Sequence, residues 1–161
     1  MSSKSTAQSR SNAWRNASQV IGKTISVTLK GIEKEVANRA YRASNELRNA
    51  SLHVLRGQRS GRRYKVPYTK RHYTASAPGE PPAVRTGIFR LSWGTRVHVE
   101  KIGNKFKAVS IIESNVRAGP YLLGDILEEG IKRISPRPYK QEIRDRAATK
   151  IRDIYSKPYK A

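Results

Sequence analysis

The run Ser76–Trp93, SAPGEPPAVRTGIFRLSW, restricts this chain more than any other stretch. Proline fixes its own φ and drives the preceding residue towards extended conformations. Pro78, Pro81 and Pro82 therefore exclude a regular helix here, and Pro81-Pro82 reads as a short stiff extended segment. Gly79 supplies the permissive backbone position beside Glu80. Thr86-Gly87 reads as a turn, after which Ile88, Phe89, Leu91 and Trp93 crowd four apolar side chains into six positions. The segment has the character of a loop that docks a hydrophobic corner onto a core.

Regular patterns flank it. Ile25, Val27 and Leu29 alternate with polar residues, the period of a half-buried strand that Gly31 would end. From Ile32 the period changes: Ile32, Val36, Ala40, Ala43, Leu47, Ala50 and Val54 recur at steps of four and three. That spacing predicts a helix to about Leu55, with Gly57 at its C-terminal cap and Lys34, Asn38 and Arg42 on the far side. Beyond the proline segment, Trp93, Thr95, Val97 and Val99 face one way and Arg96, His98 and Glu100 the other. Gly103-Asn104 turns the chain into a return strand, Phe106–Ile112. A loop over 116–120, a short helix over 121–129 ended by Gly130, and a final helix follow. Pro138 suits the first turn of that helix, whose stripe is Tyr139, Ile143, Ala147, Ile151 and Ile154. Glu142 and Arg146 form an i,i+4 pair on it, and Lys157-Pro158 ends it.

These elements predict an α+β fold: a small antiparallel sheet of three or four strands packed against a long N-terminal-half helix and a C-terminal helix. With 161 residues the chain is one domain by size, spanning about 20–161. Residues 1 to about 19, Ser-rich with scattered bases and no acid, read as a flexible basic arm, with Trp14 its one anchor.

Charge narrows the partners. The chain carries a net charge of +21, so an acidic or anionic partner is expected. No acid occurs between Leu47 and Gly79, while Arg56, Arg59, Arg62, Arg63, Lys65, Lys70 and Arg71 fall there among Tyr64, Tyr68, His72 and Tyr73. Cations interleaved with rings suit a nucleic-acid backbone and its bases. An exposed basic loop over about 56–85 that wraps a neighbouring subunit reads equally well. The composition therefore leaves open a basic nucleic-acid-binding architectural protein.

Catalytic patterns are missing. Cysteine is absent, which excludes disulfides and thiolate metal sites. His53, His72 and His98 lack ligand spacing, Glu128-Glu129 is the only adjacent acidic pair, and no phosphate-binding glycine loop occurs. The sequence points to no enzyme, no metal and no cofactor. No apolar run approaches the length of a membrane span.

Two patches together resemble a known family. Ala77-Pro78-Gly79-Glu80-Pro81-Pro82 with Thr86-Gly87-x-x-Arg90-x-Ser92, then Trp93, is similar to the central motif of the tail-completion (minor tail, head–tail joining) proteins of long-tailed bacteriophages. Leu127-Glu128-Glu129-Gly130 followed by Arg137-Pro138-Tyr139 resembles the second element of that family, a turn that precedes the last helix. The resemblance runs from about Ile25 to the C-terminus. Arg85, Phe89, Glu129 and Tyr139 depart from its usual residues. It implies a non-enzymatic virion protein of the neck or upper tail, assembled in the host cytoplasm as a ring, six-fold by expectation. Its implied partners are its own copies, neighbouring neck, tail-terminator or tail-tube rings, and packaged DNA in the channel. The proline segment and the basic loop are the parts suited to reach them.

Overall fold

The structure is a computed structural model and describes residues 3–103 and 105–159. Helix α1 spans Ser3–Val54, 52 residues in all, or about 78 Å of axis at 1.5 Å per residue. Two short strands, β1 (Arg63–Lys65) and β2 (His72–Thr74), pair antiparallel. The one-turn helix α2 (Ile88–Leu91) leads into β3 (Gly94–Ile102) and β4 (Lys105–Glu113), which pair along their whole length from Gly94↔Glu113 to Ile102↔Lys105. A small ladder, β5 (Arg117–Ala118) with β6 (Tyr121–Leu122), precedes α3 (Leu123–Glu129) and α4 (Lys140–Ser156). This is the expected α+β architecture, a small antiparallel sheet with a long first helix and a C-terminal helix.

The core forms where α1 meets the β3–β4 ribbon and α4. Ala50, Val54, Leu55, Trp93, Tyr139, Ile143 and Ala147 are its buried members, with Leu47, Phe89, Ile112, Leu127 and Ile151 packed around them. The stripe read from Ile32 to Val54 is the one that is buried. Its small residues matter, because Ala40, Ala43, Ser44, Ala50 and Ser51 let other backbones come close. Ser110 Oγ of β4 donates to the Ala40 carbonyl at 2.7 Å, and Ser44 and Ser51 turn their hydroxyls back to Tyr41 O and Arg48 O. Buried hydroxyls that bond their own helix leave no unpaired donor at the contact.

Several expectations are corrected. Residues 25–29 are helical, not a strand, and Ile25, Val27 and Leu29 all lie exposed on α1. Three alternating residues are too few to distinguish the two periods, and Gly31 does not stop the helix because one interior glycine costs only about 1 kcal/mol. Without that strand, β3 and β4 form a two-stranded ribbon and not a sheet of three or four. The ribbon rests mainly on α1, as does α4. The arm read over 1–19 is helical from Ser3 onward, although residues 12–27 bury nothing. Helix α1 does end where expected, at Val54, and the Leu55 amide still bonds Ser51 O. Gly57 has no positive φ, so it is not the expected left-handed cap. Helix α4 begins at Lys140, leaving Pro138 two residues outside it. Its ion pairs are Lys140–Asp125 and Lys150–Glu46 in place of Glu142–Arg146.

The β3–β4 hairpin follows the expected faces, with Thr95, Val97 and Val99 half-buried and Arg96, His98 and Glu100 exposed. Gly103 turns with φ 58°; Asn104 lies outside the described residues.

Candidate functional site

Two sequence patches meet in the fold, through residues as far as 61 apart in the chain. Arg137 Nη1 donates to the Ser76 carbonyl at 2.5 Å, and the Gly79 amide donates to Pro136 O at 3.2 Å. Ser76 Oγ, buried, bonds Pro81 O across the loop at 2.8 Å. The proline segment is thereby strapped to the turn between α3 and α4. The Arg137 amide in turn donates to Leu127 O at 2.7 Å.

Glu80 ties the same strap to the base of the basic segment. Its carboxylate accepts the Ser60 hydroxyl at 2.6 Å, the Ser60 amide at 3.1 Å and the Ala77 amide at 2.9 Å. Those three hydrogen bonds, with Arg59 adding charge, hold its pKa down at about 2. Each of them favours the ionised form. Arg59 reaches over the strap: its Nη2 donates to Val54 O at 2.6 Å and to Pro82 O at 3.2 Å. Burial draws the Arg59 guanidinium below its ordinary value, offset in part by Glu142 and Glu80.

Glu128 has a capping role. Its Oε2 accepts the amides of Tyr139 (3.0 Å) and Lys140 (3.2 Å), the free donors at the start of α4. A carboxylate there also meets the positive end of the helix dipole. Gly130, φ 76°, ends α3; a Cβ on it would lie 2.7 Å from Ile134 O and 2.8 Å from Pro136 N. Gly87, φ 87°, caps α2 and starts the turn that Thr86 Oγ1 supports by accepting the Ile88 amide at 3.4 Å.

Phe89, Trp93 and Tyr139 form a mutual edge-to-face triad, centroids 5.6, 5.7 and 5.9 Å apart. Such pairs add to simple burial. Tyr139 Oη donates to Gly124 O at 3.1 Å, and burial, with Glu128 and Asp125 nearby, raises its pKa above the ordinary phenol value. Arg48 Nε bonds Trp93 O, and the Ser92 and Ser114 hydroxyls pair at 2.6 Å. The residues of both patches thus assemble into one architectural junction, built of backbone carbonyls, caps and rings.

The basic segment stands apart from that junction. Arg62, Arg63, Lys65, Lys70 and Arg71 are all exposed on or beside the β1–β2 hairpin. Tyr64 faces Tyr73 across it, centroids 6.0 Å apart, and Arg62 lies over the Tyr64 ring. Pro78 is exposed, while Pro82 is buried and Pro81 half-buried against the fold. Of the expected contact residues, then, Arg59, Glu80 and Pro82 belong to the fold's own joints. The hairpin cations stay exposed, as do Arg56 and Pro78.

Two clefts border the junction. One, about 450 Å3, is lined mainly by apolar side chains of the strap, α2 and α3, among them Val84, Ile88, Phe89 and Leu127. The other, about 700 Å3, lies between α1, α2 and α4 and gathers His53, Arg56, Arg90, Arg146 and Lys150 around the single acid Glu46. Arg90 lines both clefts, and its Nε is buried without a hydrogen-bond partner among the described residues.

Sequence reasoning missed Arg39. It is buried at 2% exposure beside the α1 stripe, pairs with Glu35 at 2.9 Å, and donates to Lys157 O and Pro158 O beyond α4. Its guanidinium also lies 3.9 Å from the Tyr159 ring centroid. Glu35 four residues before Arg39 was the available signal. Among the described residues no helix is long and apolar enough to cross a membrane. Comparison with protein-family models, curated proteins and solved structures finds no match.

Proposed function

We propose that this chain is a structural, non-enzymatic virion protein of the phage neck or upper tail. Copies of it form a closed six-fold ring that completes the tail end and joins it to the head connector. One observation carries the reading: the two motif patches, remote in sequence, interlock through Arg137–Ser76 and Gly79–Pro136. Residues of a shared motif that serve architecture are expected to converge on a joint of the fold, and these do. The exposed hairpin cations then supply the surface for an acidic neighbouring ring. Closure needs a heterologous interface whose rotation completes a circle.

The test is a reconstruction of the particle that carries this protein. Six copies in a ring at the head–tail junction are expected. Copies elsewhere in the particle, or no incorporation at all, would overturn the proposal.

A second reading is favoured by the Tyr64–Tyr73 pair beside Arg62, Arg63 and Lys65, a stacking surface flanked by cations. It makes the protein a nucleic-acid-binding architectural factor. Affinity of the isolated protein for DNA that falls steeply with salt, together with absence from any particle, would favour it.

A further inference from the structure

The stripe that forms the core does not stop where the core stops. At about 100° per residue, Trp14, Ile21, Ile25 and Leu29 fall on the same face of α1 as Ile32, Val36, Ala43, Leu47, Ala50 and Val54. The second group is covered or half-covered by the β3–β4 ribbon and α4; the first is exposed. Residues 12–27 are exposed on every side over about 24 Å of helix, so α1 carries its packing face out beyond the body of the protein. Val20 and Val27, by contrast, stand on the opposite face, near Lys23 and Lys34.

We infer that this projecting half of α1 is a docking helix that lies in an apolar groove rimmed by carboxylates on a different protein. The continuous stripe prescribes the groove: an amphipathic helix presents anchors on one face at such spacings, here Trp14, Ile21, Ile25 and Leu29 at i, i+7, i+11 and i+15, with Ile32 continuing the row. Charge prescribes the rim and excludes a second copy. Residues 1–32 hold Lys4, Arg10, Arg15, Lys23 and Lys30 and no acid. Two such helices side by side would set five cations against five, and neither cleft beside the junction offers a carboxylate rim, one being lined by Arg85, Arg90 and Arg137 and the other holding Glu46 as its only acid. An acidic rim gains from the same charges and speeds the encounter. The inference stands on helix geometry and charge, and does not need the virion reading.

The experiment is site-specific photo-cross-linking from the full chain in the cell that makes it. A benzophenone amino acid replaces Ile21 or Ile25 on the stripe, and Lys23 or Ser26 off it, and the linked peptides are sequenced by mass spectrometry. Links from positions 21 and 25, but not 23 and 26, to an apolar segment bordered by Asp or Glu in another protein are expected. The triple variant Ile21→Gln, Ile25→Gln, Leu29→Gln, probed from position 14, should lose the links with its melting temperature unchanged, since those side chains are exposed in the free fold. Links to a second copy, to lipid or to nucleic acid, equal links from both faces, or no links would overturn the inference. A partner that is no virion component would uphold the docking helix while sinking the neck-ring function.

Discussion

Glu80 accepts both the hydroxyl and the amide of Ser60, at 2.6 and 3.1 Å. One half-buried carboxylate thus joins the proline strap to the root of the basic hairpin, with the Ala77 amide as a third donor. This gives the joint a pH dependence whose sign is determined. The folded pKa is about 2, below the roughly 4.3 of a free glutamate. A depressed carboxylate contributes stability above its unfolded pKa, and the contribution fades as pH falls through the folded one. Glu80→Gln should therefore melt lower than the parent at pH 7, and the gap should close between about pH 4 and pH 2. A gap independent of pH across that window would show that the three hydrogen bonds do not depend on the charge.

Trp93 tests the aromatic triad. It is 8% exposed, touches Phe89 and Tyr139 edge to face, and its indole N–H has no partner among the described residues. Trp93→Ala should cost about 3–5 kcal/mol by denaturant unfolding, the range for emptying a large aromatic site. Trp93→Phe should cost clearly less, because it keeps a ring in the triad and removes the unpaired donor. Equal losses for the two variants would place the ring's contribution outside the core.

Gly87 and Gly130 share a positive φ but differ in surroundings. A Cβ on Gly87 meets nothing within 4 Å, whereas one on Gly130 meets Ile134 O at 2.7 Å and Pro136 N at 2.8 Å. Gly87→Ala should cost about 1–2 kcal/mol, the strain of a left-handed backbone alone. Gly130→Ala should cost more, because the α3–α4 turn must also open, loosening the Arg137–Ser76 contact. Thermal melts of the two variants decide the order.

The fold was legible where pattern and packing agree. The Ile32–Val54 stripe could be read because nearly all of it is buried or packed against the core. The β3–β4 hairpin could be read because a turn signal sits between two long alternations. The region before Ile32 was not legible, since Ile25, Val27 and Leu29 have no covering element to make a period meaningful. The β1–β2 hairpin was hidden by its charge, although Tyr64 and Tyr73 flanking Pro67-Tyr68 were a cross-strand signal. Within the site, Pro82, Thr86, Gly87, Trp93, Gly130 and Arg137 could be singled out as motif residues. The roles of Ser60 and Arg59 could not, because their partners, the Glu80 carboxylate and the Val54 and Pro82 carbonyls, come near only in the tertiary fold. For Arg39 only the Glu35 pair was visible, not the Lys157 and Pro158 carbonyls.

Arg39 anchors the end of the chain to its middle. With Glu35, Lys157 O, Pro158 O and the Tyr159 ring all around one buried guanidinium, Arg39→Ala should destabilise by about 2–3 kcal/mol, as for loss of charge-assisted buried hydrogen bonds. Arg39→Lys should recover little, since an ammonium cannot span two carbonyls and stack on a ring. Hydrogen exchange in the last turn of α4 should rise in both variants. Unchanged exchange there would mean that the clamp does not hold the C-terminal end.

The hairpin cations give the sharpest test of what the protein meets. Arg59 must be left in place, because it bonds Val54 O and Pro82 O and its loss would loosen the strap. Arg62, Arg63, Lys65, Lys70 and Arg71 are exposed, so replacing them with glutamine should leave the melting temperature within about 1 °C of the parent, as surface changes usually cost little. If the partner is DNA in a channel, each lost phosphate contact should reduce the slope of log affinity against log salt by about 0.9. If the partner is an acidic ring, the association rate of head and tail should fall, and weaken further in salt, while DNA affinity stays as it was. The proposed function expects the second outcome. DNA affinity lost with head–tail joining intact would transfer the hairpin to the nucleic-acid reading, and with neither changed the five cations would carry no partner contact at all.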